Sequence, residues 1–323
     1  MSRVSTMTQR EADLSKISKR WALSPEQLQQ RVLISWMEHE HIKRYIHRRI
    51  TGDESLDWFT YVLRKYFLAP AERALSLGCG QGGLERHALS SNAVHIFDAY
   101  DASYGAIEHA KKAAEKEGLL KRINYHIADM NLLELPEKIY DAVFASMSVH
   151  HVEALERLFG EVRGTLKPYG LFIINEYIGP TKFQIPPLQL KLINSLLKIL
   201  PIRCRRMIRD GKVTDEIKQV HQIHSLKWFD ENDPSEAVRS AEIMPVLKDY
   251  FQVLEFKPYG GTLLHFMLEN IVGNFDDRDE DDRAWLNMLE YLETVLEEGG
   301  VIKSDFALIV ARTLRVASHA FIP

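Results

Sequence analysis

Residues 74–83, Ala-Leu-Ser-Leu-Gly-Cys-Gly-Gln-Gly-Gly, place a short apolar run directly before a turn that is rich in glycine. A helical pattern, Leu84 to Leu89, follows at once. Glycine allows the chain to turn tightly and lets a ligand lie against bare backbone close to a helix N-terminus. The stretch therefore predicts a strand, a ligand-binding turn and a helix, in that order.

The spacing of the glycines matches a fingerprint of dinucleotide-binding proteins. Gly78, Gly80 and Gly83 fit its pattern, which requires an acidic residue about 20 positions later. Asp98 and Asp101 both meet that requirement. Taken alone, the motif fits NAD enzymes, flavoproteins and other nucleoside-binding proteins, so it does not choose among them.

The same rhythm of strand and helix continues through residues 73–178. Apolar strand candidates lie at 74–77, 94–97, 123–127, 140–145 and 171–174, and helical patterns lie at 84–89, about 104–117 and 153–166. Such an alternation is typical of a parallel sheet that is covered by helices on both faces. We therefore expect an α/β fold with a doubly wound, mostly parallel sheet.

The rest of the chain is expected to add helices around this core. Residues 1–72 would form an N-terminal helical extension or lid, with a helix that starts at Ser24 and Pro25 and runs to about Ile50. Residues 179–250 are interpreted as a helical insertion that caps a binding site. Residues 251–323 would supply the last strands of the core, near 251–256 and 306–310, with a helical segment inserted at 262–300.

Composition narrows the functional classes. The 323 residues carry a net charge of −4, whereas proteins that bind nucleic acid through phosphate contacts usually have a basic surface. Two cysteines, Cys79 and Cys204, are too few for a disulfide framework or a thiolate metal cage. No apolar stretch is long enough to cross a bilayer, and the first residues lack the apolar centre of a secretory signal. We therefore expect a cytoplasmic protein without a bound metal.

Five segments together resemble the class I S-adenosylmethionine-dependent methyltransferases. They are LSLGCGQGG at 75–83, YDAS at 100–103, ADMNLLELP at 128–136, YDAVFASMSVHHV at 140–152 and LKPYGLFIINE at 166–176. Each segment is a loose match, but all five in this order and spacing are specific. Tyr169 departs from the pattern, because the family commonly has glycine there. The resemblance implies a seven-stranded, mostly parallel sheet and S-adenosyl-L-methionine as the cofactor.

The resemblance also implies which residues hold that cofactor. Asp101 would accept hydrogen bonds from the two ribose hydroxyls, with Asp98 as the alternative, and Asp129 would accept one from the adenine amino group. The expected cofactor-binding residues are Gly78, Cys79, Gly80, Asp101, Ala102, Asp129, Met130 and Ser146. At each acid the competing interpretation is a helix cap or a turn former.

Candidate catalytic residues follow the fourth and fifth strands, since ligands bind beyond the carboxyl ends of such sheets. They are His150, His151, Glu176 and Tyr177. Methyl transfer is an in-line displacement, so the protein must mainly align the acceptor and exclude water. An acceptor that loses a proton also needs a general base, and His150 or His151 is the candidate because imidazole titrates near neutrality. The alternative is that one histidine caps the next helix and packs on the sheet.

The leading hypothesis is therefore methyl transfer to a small-molecule or sugar-containing acceptor, which includes a lipid-linked one. Residues 188–209 join an apolar helix to an arginine cluster, a pattern that fits either a lid over the site or a helix that makes peripheral contact with a membrane. An NAD-dependent oxidoreductase and a non-catalytic cofactor-binding protein with the same fold remain the alternatives. Nucleic acid is disfavoured as a partner, and the sequence does not indicate the oligomeric state.

Overall fold

A seven-stranded sheet forms the centre of the computed structural model, which describes residues 33–313. The helix start expected at Ser24 and Pro25 lies outside these residues. The strands in chain order are β1 (Ala71–Leu77), β2 (Val94–Asp101), β3 (Ile123–Ile127), β4 (Tyr140–Ser146), β5 (Leu166–Tyr177), β6 (Arg206–Arg209), β7 (Lys212–Ile217), β8 (Phe251–Gly260) and β9 (Phe306–Thr313). The order across the sheet is β3-β2-β1-β4-β5-β9-β8, and β9 alone in this sheet runs in the direction opposite to the other six strands. The prediction of an α/β fold with a mostly parallel seven-stranded sheet is confirmed.

Helices cover both faces of this sheet. Within the described residues they are α1 (Glu40–Thr51), α2 (Trp58–Tyr66), α3 (Gly83–Ser90), α4 (Tyr104–Lys116), α5 (Leu155–Thr165), α6 (Pro187–Ile199), α7 (Leu226–Asn232), α8 (Ile243–Tyr250), α9 (Leu264–Leu268) and α10 (Glu280–Glu298). Along β4, Phe144 packs into the core shared with α1, α2 and α3, whereas Val143 and Ala145 pack into the core shared with α5 and α8. A strand buried on both faces has no polar side, which explains why its sequence is a continuous apolar run.

Local polar groups and turns set the ends of these elements. Asp57 caps α2 by accepting hydrogen bonds from the N–H groups of Phe59 and Thr60, each at 2.9 Å. Tyr169 lies in β5 with a φ of +68° and an exposed side chain, so it adopts the left-handed backbone conformation that glycine favours. The departure from the glycine-rich pattern at Tyr169 therefore changes the residue but not the shape of the turn.

The segment 179–250 is not purely helical, as had been expected from its sequence. Besides α6, α7 and α8 it contains an antiparallel hairpin of β6 and β7. Asp210 and Gly211 form the turn with φ angles of +49° and +72°. Two consecutive residues at positive φ give the mirror-image turn whose twist matches the twist of the strands. The hairpin extends to the carboxyl edge of the sheet, where residues 208–212 line the cavity described below.

Helix α6 does not line that cavity. Leu188, Ile199 and Ile202 are exposed at the surface, and Arg203 forms an ion pair with Asp282. The part of 188–209 that reaches over the site is therefore the start of the hairpin and not the apolar helix. The alternative of a membrane-surface helix stays a prediction. No helix between residues 33 and 313 combines the length and the apolar composition that a bilayer crossing requires.

Candidate functional site

A cavity of about 1790 Å³ opens at the carboxyl edge of the sheet. All eight residues that the sequence predicted as cofactor-binding line it: Gly78, Cys79, Gly80, Asp101, Ala102, Asp129, Met130 and Ser146. His150, His151 and Tyr177 also line it, whereas Glu176 does not. The carboxyl ends of neighbouring parallel strands meet at one edge, which is why residues far apart in the sequence converge here.

The turn after β1 exposes bare backbone to the cavity. Gly78 and Gly80 have φ angles of +69° and +53°, which favour glycine. A Cβ atom at Gly78 would lie 2.3 Å from the Cβ of Ser148, so no larger residue fits there. At Gly80, by contrast, a Cβ atom would meet no protein atom within 4 Å, because this position faces open space. A ligand can therefore approach the backbone of Gly80 closely.

Asp101 holds this turn in place. Its carboxylate accepts a hydrogen bond from the Gly80 N–H at 2.8 Å and another from the Ser103 N–H at 2.7 Å. Burial raises the pKa of Asp101, and the two N–H groups oppose that shift. Each carboxylate oxygen can accept more than one hydrogen bond, so Asp101 keeps capacity for a ligand. The sequence did not reveal that the predicted ribose-binding acid also shapes the glycine turn.

Asp98, the alternative to Asp101, faces away from the cavity and has protein partners. Its carboxylate accepts hydrogen bonds from Arg73 at 2.6 and 3.0 Å, from Asn124 at 2.8 Å and from Tyr140 at 2.8 Å. Burial would raise the pKa of Asp98, but these donors outweigh it and hold the pKa below its ordinary value. Asp98 therefore joins β1, β2, β3 and β4, and the alternative role in binding ribose is not supported.

Asp129 lies two residues beyond β3 and takes part in a link between two loops. Its carboxylate accepts hydrogen bonds from the backbone N–H and the side-chain amide of Asn131, at 2.9 and 2.8 Å. The side-chain oxygen of Asn131 in turn accepts hydrogen bonds from the N–H groups of Glu153 and Ala154, each at 2.9 Å. The loop after β3 is thereby tied to the residues that lead into α5, and Met130 beside Asp129 faces the cavity.

Glu176 is buried behind the cavity and organises the loop after β4. One carboxylate oxygen accepts hydrogen bonds from the N–H groups of Ser148 at 2.7 Å, Val149 at 2.5 Å and His150 at 3.2 Å. The other accepts from the Tyr177 N–H at 2.8 Å and lies 2.6 Å from His150 Nδ1. The expectation that Glu176 touches the acceptor or the cofactor is therefore corrected, because this side chain is fully buried and does not line the cavity.

His150 carries the charge that balances Glu176. Burial alone would lower the pKa of His150, but the carboxylates of Glu176 and Glu236 raise it to about 9. Glu236 lies 3.6 Å from His150 Nε2. The imidazole is thus protonated at neutral pH, which is unsuited to a base. His151, whose ring centroid lies 4.1 Å from that of His150, has its Nδ1 atom 3.3 Å from the Ser235 hydroxyl.

His150, His151 and Glu236 also offer ligand atoms that lie within 4.8 Å of one another, an arrangement that could hold a metal ion. The expectation of a protein without a bound metal stays a prediction.

Apolar and aromatic side chains from outside residues 75–174 form one part of the cavity wall, which we call the far half. They include Trp36, Met37, Trp58, Phe59, Phe183, Ile208 and Phe306. They come from the segments before β1, from the loop after β5, from the hairpin and from β9. None of them was predicted individually as a site residue. An apolar residue on an amphipathic element has the same sequence pattern whether it faces the core or a cavity, so no signal marked them.

Comparison with known proteins identifies the α/β core. Residues 75–174 match the family described as a methyltransferase domain. This stretch of 100 residues is what the comparison identifies as a methyltransferase domain. The chain is 30% identical over 118 residues to a sterol 24-C-methyltransferase of Gibberella zeae, covering 36% of this chain and 31% of that protein. A second sterol 24-C-methyltransferase of that organism is 24% identical over 219 residues, covering 64% of this chain and 55% of that protein.

The chain spans from about a third to about half of the length of these two relatives, 31% and 55%. A solved structure of a geranyl diphosphate C-methyltransferase from Streptomyces coelicolor is 12% identical, with 79% of each chain covered and a TM-score of 0.45. The match of residues 75–174 confirms the methyltransferase family that was inferred from the five segments. The match to the methyltransferase domain also favours S-adenosylmethionine over NAD as the cofactor of the glycine turn.

The methyltransferase domain supplies the near half of the cavity, with the glycine turn, Asp101, Asp129 and the two histidines. The aromatic half comes from residues that lie outside residues 75–174. The two halves therefore have different origins in the chain, and only the near half belongs to the part that the family comparison covers.

The ion pair between His150 and Glu176 can be tested by the pH dependence of stability. The pKa of His150 is raised above the ordinary value of 6.5, so its stabilising charge is present below that pH and is lost as the pH rises through about 9. We expect Glu176→Gln to lower the free energy of unfolding at pH 7 by about 3 kcal/mol, because it removes one partner of a buried ion pair. The melting temperature should fall accordingly. We also expect the substitution to weaken the fall in melting temperature between pH 7 and 10.

Calorimetric melting curves across this pH range provide the measurement. Glu134→Gln serves as the control, since the Glu134 side chain is 89% exposed. Parallel curves for the wild type and Glu176→Gln would show that His150 is not charged in the folded protein.

Proposed function

We propose that this chain transfers the methyl group of S-adenosylmethionine to an apolar, lipid-like small molecule such as a sterol or another isoprenoid. The observation that carries the proposal is the continuity of one cavity from the glycine turn and its carboxylates to an aromatic compartment. The volume of about 1790 Å³ exceeds the roughly 300–1000 Å³ of ordinary small-molecule sites, so it offers room for a cofactor and a second molecule. The names of the sterol 24-C-methyltransferase relatives point to the same class of acceptor.

The residues of the near half fit the cofactor. Asp101 is placed to accept from the ribose hydroxyls, and Asp129 to accept from the adenine amino group while Met130 packs on the ring. Gly78, Cys79 and Gly80 would receive the amino-acid part, with Ala102 and Ser146 completing the walls. Burial raises the pKa of the Cys79 thiol, which stays neutral and gives close packing without a nucleophile. When bound, S-adenosylmethionine supplies a methyl group that an electron pair of the acceptor can displace from sulfur.

The acceptor would occupy the far half. Aromatic side chains such as Trp58 and Phe183, which are only partly buried, can bind an extended apolar molecule through their contact area, and their faces attract positive charge that develops on an acceptor. Residues 33–72 and 179–250 supply most of this wall, so in this proposal they form the acceptor cap. The hairpin residues Arg209 and Lys212 add polar groups at the rim, where a hydroxyl end of the acceptor would lie.

The side chains at the junction of the two halves have distinct roles in this proposal. An acceptor whose product must be neutral loses a proton after it receives the methyl group. His150 is already protonated, so the base is His151, which lines the cavity beside it. Glu176 is a positioning residue that fixes the loop through His150, and Tyr177 contributes its buried ring to the wall.

Cofactor binding is tested by titrating the protein with S-adenosylhomocysteine in a calorimeter. We expect Asp101→Ala and Asp129→Ala each to weaken binding by about 1–3 kcal/mol, because each removes a hydrogen-bond acceptor for the ligand. Asp98→Asn is the matched control: it lowers the melting temperature and leaves the affinity unchanged, since Asp98 faces away from the cavity. Binding of NAD without binding of S-adenosylhomocysteine would refute the assignment.

The acceptor class is tested by following radiolabel from the methyl group of S-adenosylmethionine into products. We expect label in a sterol with a side-chain double bond, recovered by organic extraction and chromatography. Trp58→Ala should raise the KM for that acceptor by about tenfold through lost apolar contact, and leave the affinity for S-adenosylhomocysteine unchanged. Tyr291→Ala removes an exposed ring on α10 and is the control. Label that appears in sugars and never in lipids would contradict the proposed acceptor. A lack of turnover with every acceptor tested would favour a non-catalytic cofactor-binding protein.

The role of His151 is tested by steady-state kinetics with the same acceptor. We expect His151→Gln to lower kcat by about a hundredfold, the lower end of what general-base catalysis contributes, with unchanged affinity for S-adenosylhomocysteine. His95→Gln, at an exposed position of β2, is the control. A kcat equal to that of the wild type would mean that no proton passes to His151.

A further inference from the structure

Glu85 is a buried carboxylate of the cavity for which neither the fold nor the proposed chemistry accounts. It lies in the first turn of α3, directly after the glycine turn, and its residue is 0% exposed to solvent. It lines the cavity together with Ser76 and Asp101. Between residues 33 and 313, neither of its carboxylate oxygens has a hydrogen-bond partner. The side chain is therefore buried beside the cavity, but its carboxylate accepts no hydrogen bond from the described residues.

Two other fully buried carboxylates, those of Glu176 and Glu293, each accept several hydrogen bonds from the protein. Glu176 accepts five hydrogen bonds, as described above. Glu293 accepts hydrogen bonds from the N–H groups of Gly261, Leu263 and Leu264, at 2.9, 2.7 and 3.1 Å. A buried acid whose role is structural is surrounded by donors in this fold, because an ionised group without partners is strongly disfavoured away from water. Within residues 33–313 Glu85 accepts no such set of hydrogen bonds, and the Ser76 side chain and the Glu85 backbone only partly oppose the rise that burial causes in its pKa. A ligand that enters the cavity can therefore supply the missing partner.

The charged neighbours of Glu85 do not supply that partner. Arg86, the adjacent residue, donates to Glu117 at 2.9 Å and to the carbonyl of Gln81 at 2.6 Å. Asp101 adds further negative charge nearby, and burial raises the pKa of Glu85 to about 7. A cation that enters the cavity would thus find a carboxylate with both oxygens available.

We propose that Glu85 binds the α-ammonium group in the amino-acid part of the cofactor. The proposal rests on the function proposed above, in which the glycine turn receives that part of the cofactor. An ammonium group is a compact cation with three donors and no acceptor, so it can serve both oxygens of one carboxylate. Glu85 lies in the first turn of α3, two residues after Gly83, and lines the same cavity as the glycine turn.

The test compares two ligands that differ in the amino-acid part alone. S-adenosylhomocysteine has the α-ammonium group, whereas 5′-methylthioadenosine has the same adenosine and a thioether but no amino acid. In calorimetric titrations at pH 8 we expect Glu85→Gln to weaken binding of S-adenosylhomocysteine by about 10- to 100-fold, as expected for loss of a charge-assisted hydrogen bond, and to leave methylthioadenosine binding unchanged. Glu117→Gln is the matched control, since it removes an exposed carboxylate beside Arg86.

Stability separates this role from a structural one. Because the carboxylate of Glu85 accepts no hydrogen bond from residues 33–313, Glu85→Gln should leave the melting temperature of the ligand-free protein equal or higher. The increase in melting temperature that S-adenosylhomocysteine produces in the wild type should become smaller in the variant. A variant with a clearly lower melting temperature and equal loss of both ligands would show that Glu85 supports the fold, and would overturn the proposal.

The pH dependence of binding gives a further readout. Protonation of Glu85 removes the charge that attracts an ammonium group, so affinity for S-adenosylhomocysteine should fall as the pH decreases from 8 to 6. Arg86 stays charged over this range, and the raised pKa values keep Cys79 and Tyr125 neutral. The fall should be absent for methylthioadenosine. Since Asp101 is present in both proteins, subtracting the pH dependence measured for Glu85→Gln removes any contribution from Asp101.

The possible results distinguish the two proposals. A wild-type protein that binds neither ligand would contradict the proposed function itself. A wild-type protein that binds both, with a Glu85→Gln variant of equal affinity for both, would contradict the role of Glu85 alone.

Discussion

The hydrogen bond from the Gly80 N–H to the Asp101 carboxylate is the contact on which the near half of the cavity depends. It joins the turn after β1 to the end of β2, and the N–H groups of Gly78 and Cys79 reinforce it by donating to the carbonyl of Tyr100 at 2.8 and 3.0 Å. A glycine turn has many accessible conformations in the unfolded chain, so its shape requires such anchors. The same carboxylate faces the cavity, which couples the shape of the turn to the group that it presents to a ligand.

The central sheet could be read from the sequence because its strands are buried on both faces. Each of its seven strands overlaps the apolar run that predicted it, and 123–127 agrees at both ends, whereas strands such as β5 extend well beyond the predicted run. The hairpin of β6 and β7 was missed, since Arg206, Lys212 and Glu216 give its strands a polar composition that does not alternate cleanly. The Asp210–Gly211 pair is the signal that could have found it, because this dipeptide is typical of two-residue hairpin turns.

The near half of the site was predictable for a different reason. Ligand-binding residues of a parallel sheet follow its strands, so the order of strand ends identified Asp101, Asp129 and the two histidines. The same reasoning misplaced Glu176, because the last residues of a strand alternate between faces and a one-residue difference decides which side a group occupies. Glu85 was not found at all. A polar residue in the first turn of an amphipathic helix ordinarily favours the helix N-terminus and faces solvent, and only the tertiary structure shows that it is buried.

The far half of the cavity shows where reasoning from one sequence stops. Its wall combines residues before β1 with residues from the hairpin and from β9, which lie about 150 to 270 positions further along the chain. Each is apolar, and each would fit equally well in a core. Burial of an aromatic ring against a cavity leaves no pattern in its own neighbourhood, whereas a glycine turn or a paired carboxylate does. The groups that would bind the cofactor therefore lie in short sequence segments that can be recognised from the sequence. The shape that would select the acceptor arises only when distant segments pack around the sheet edge.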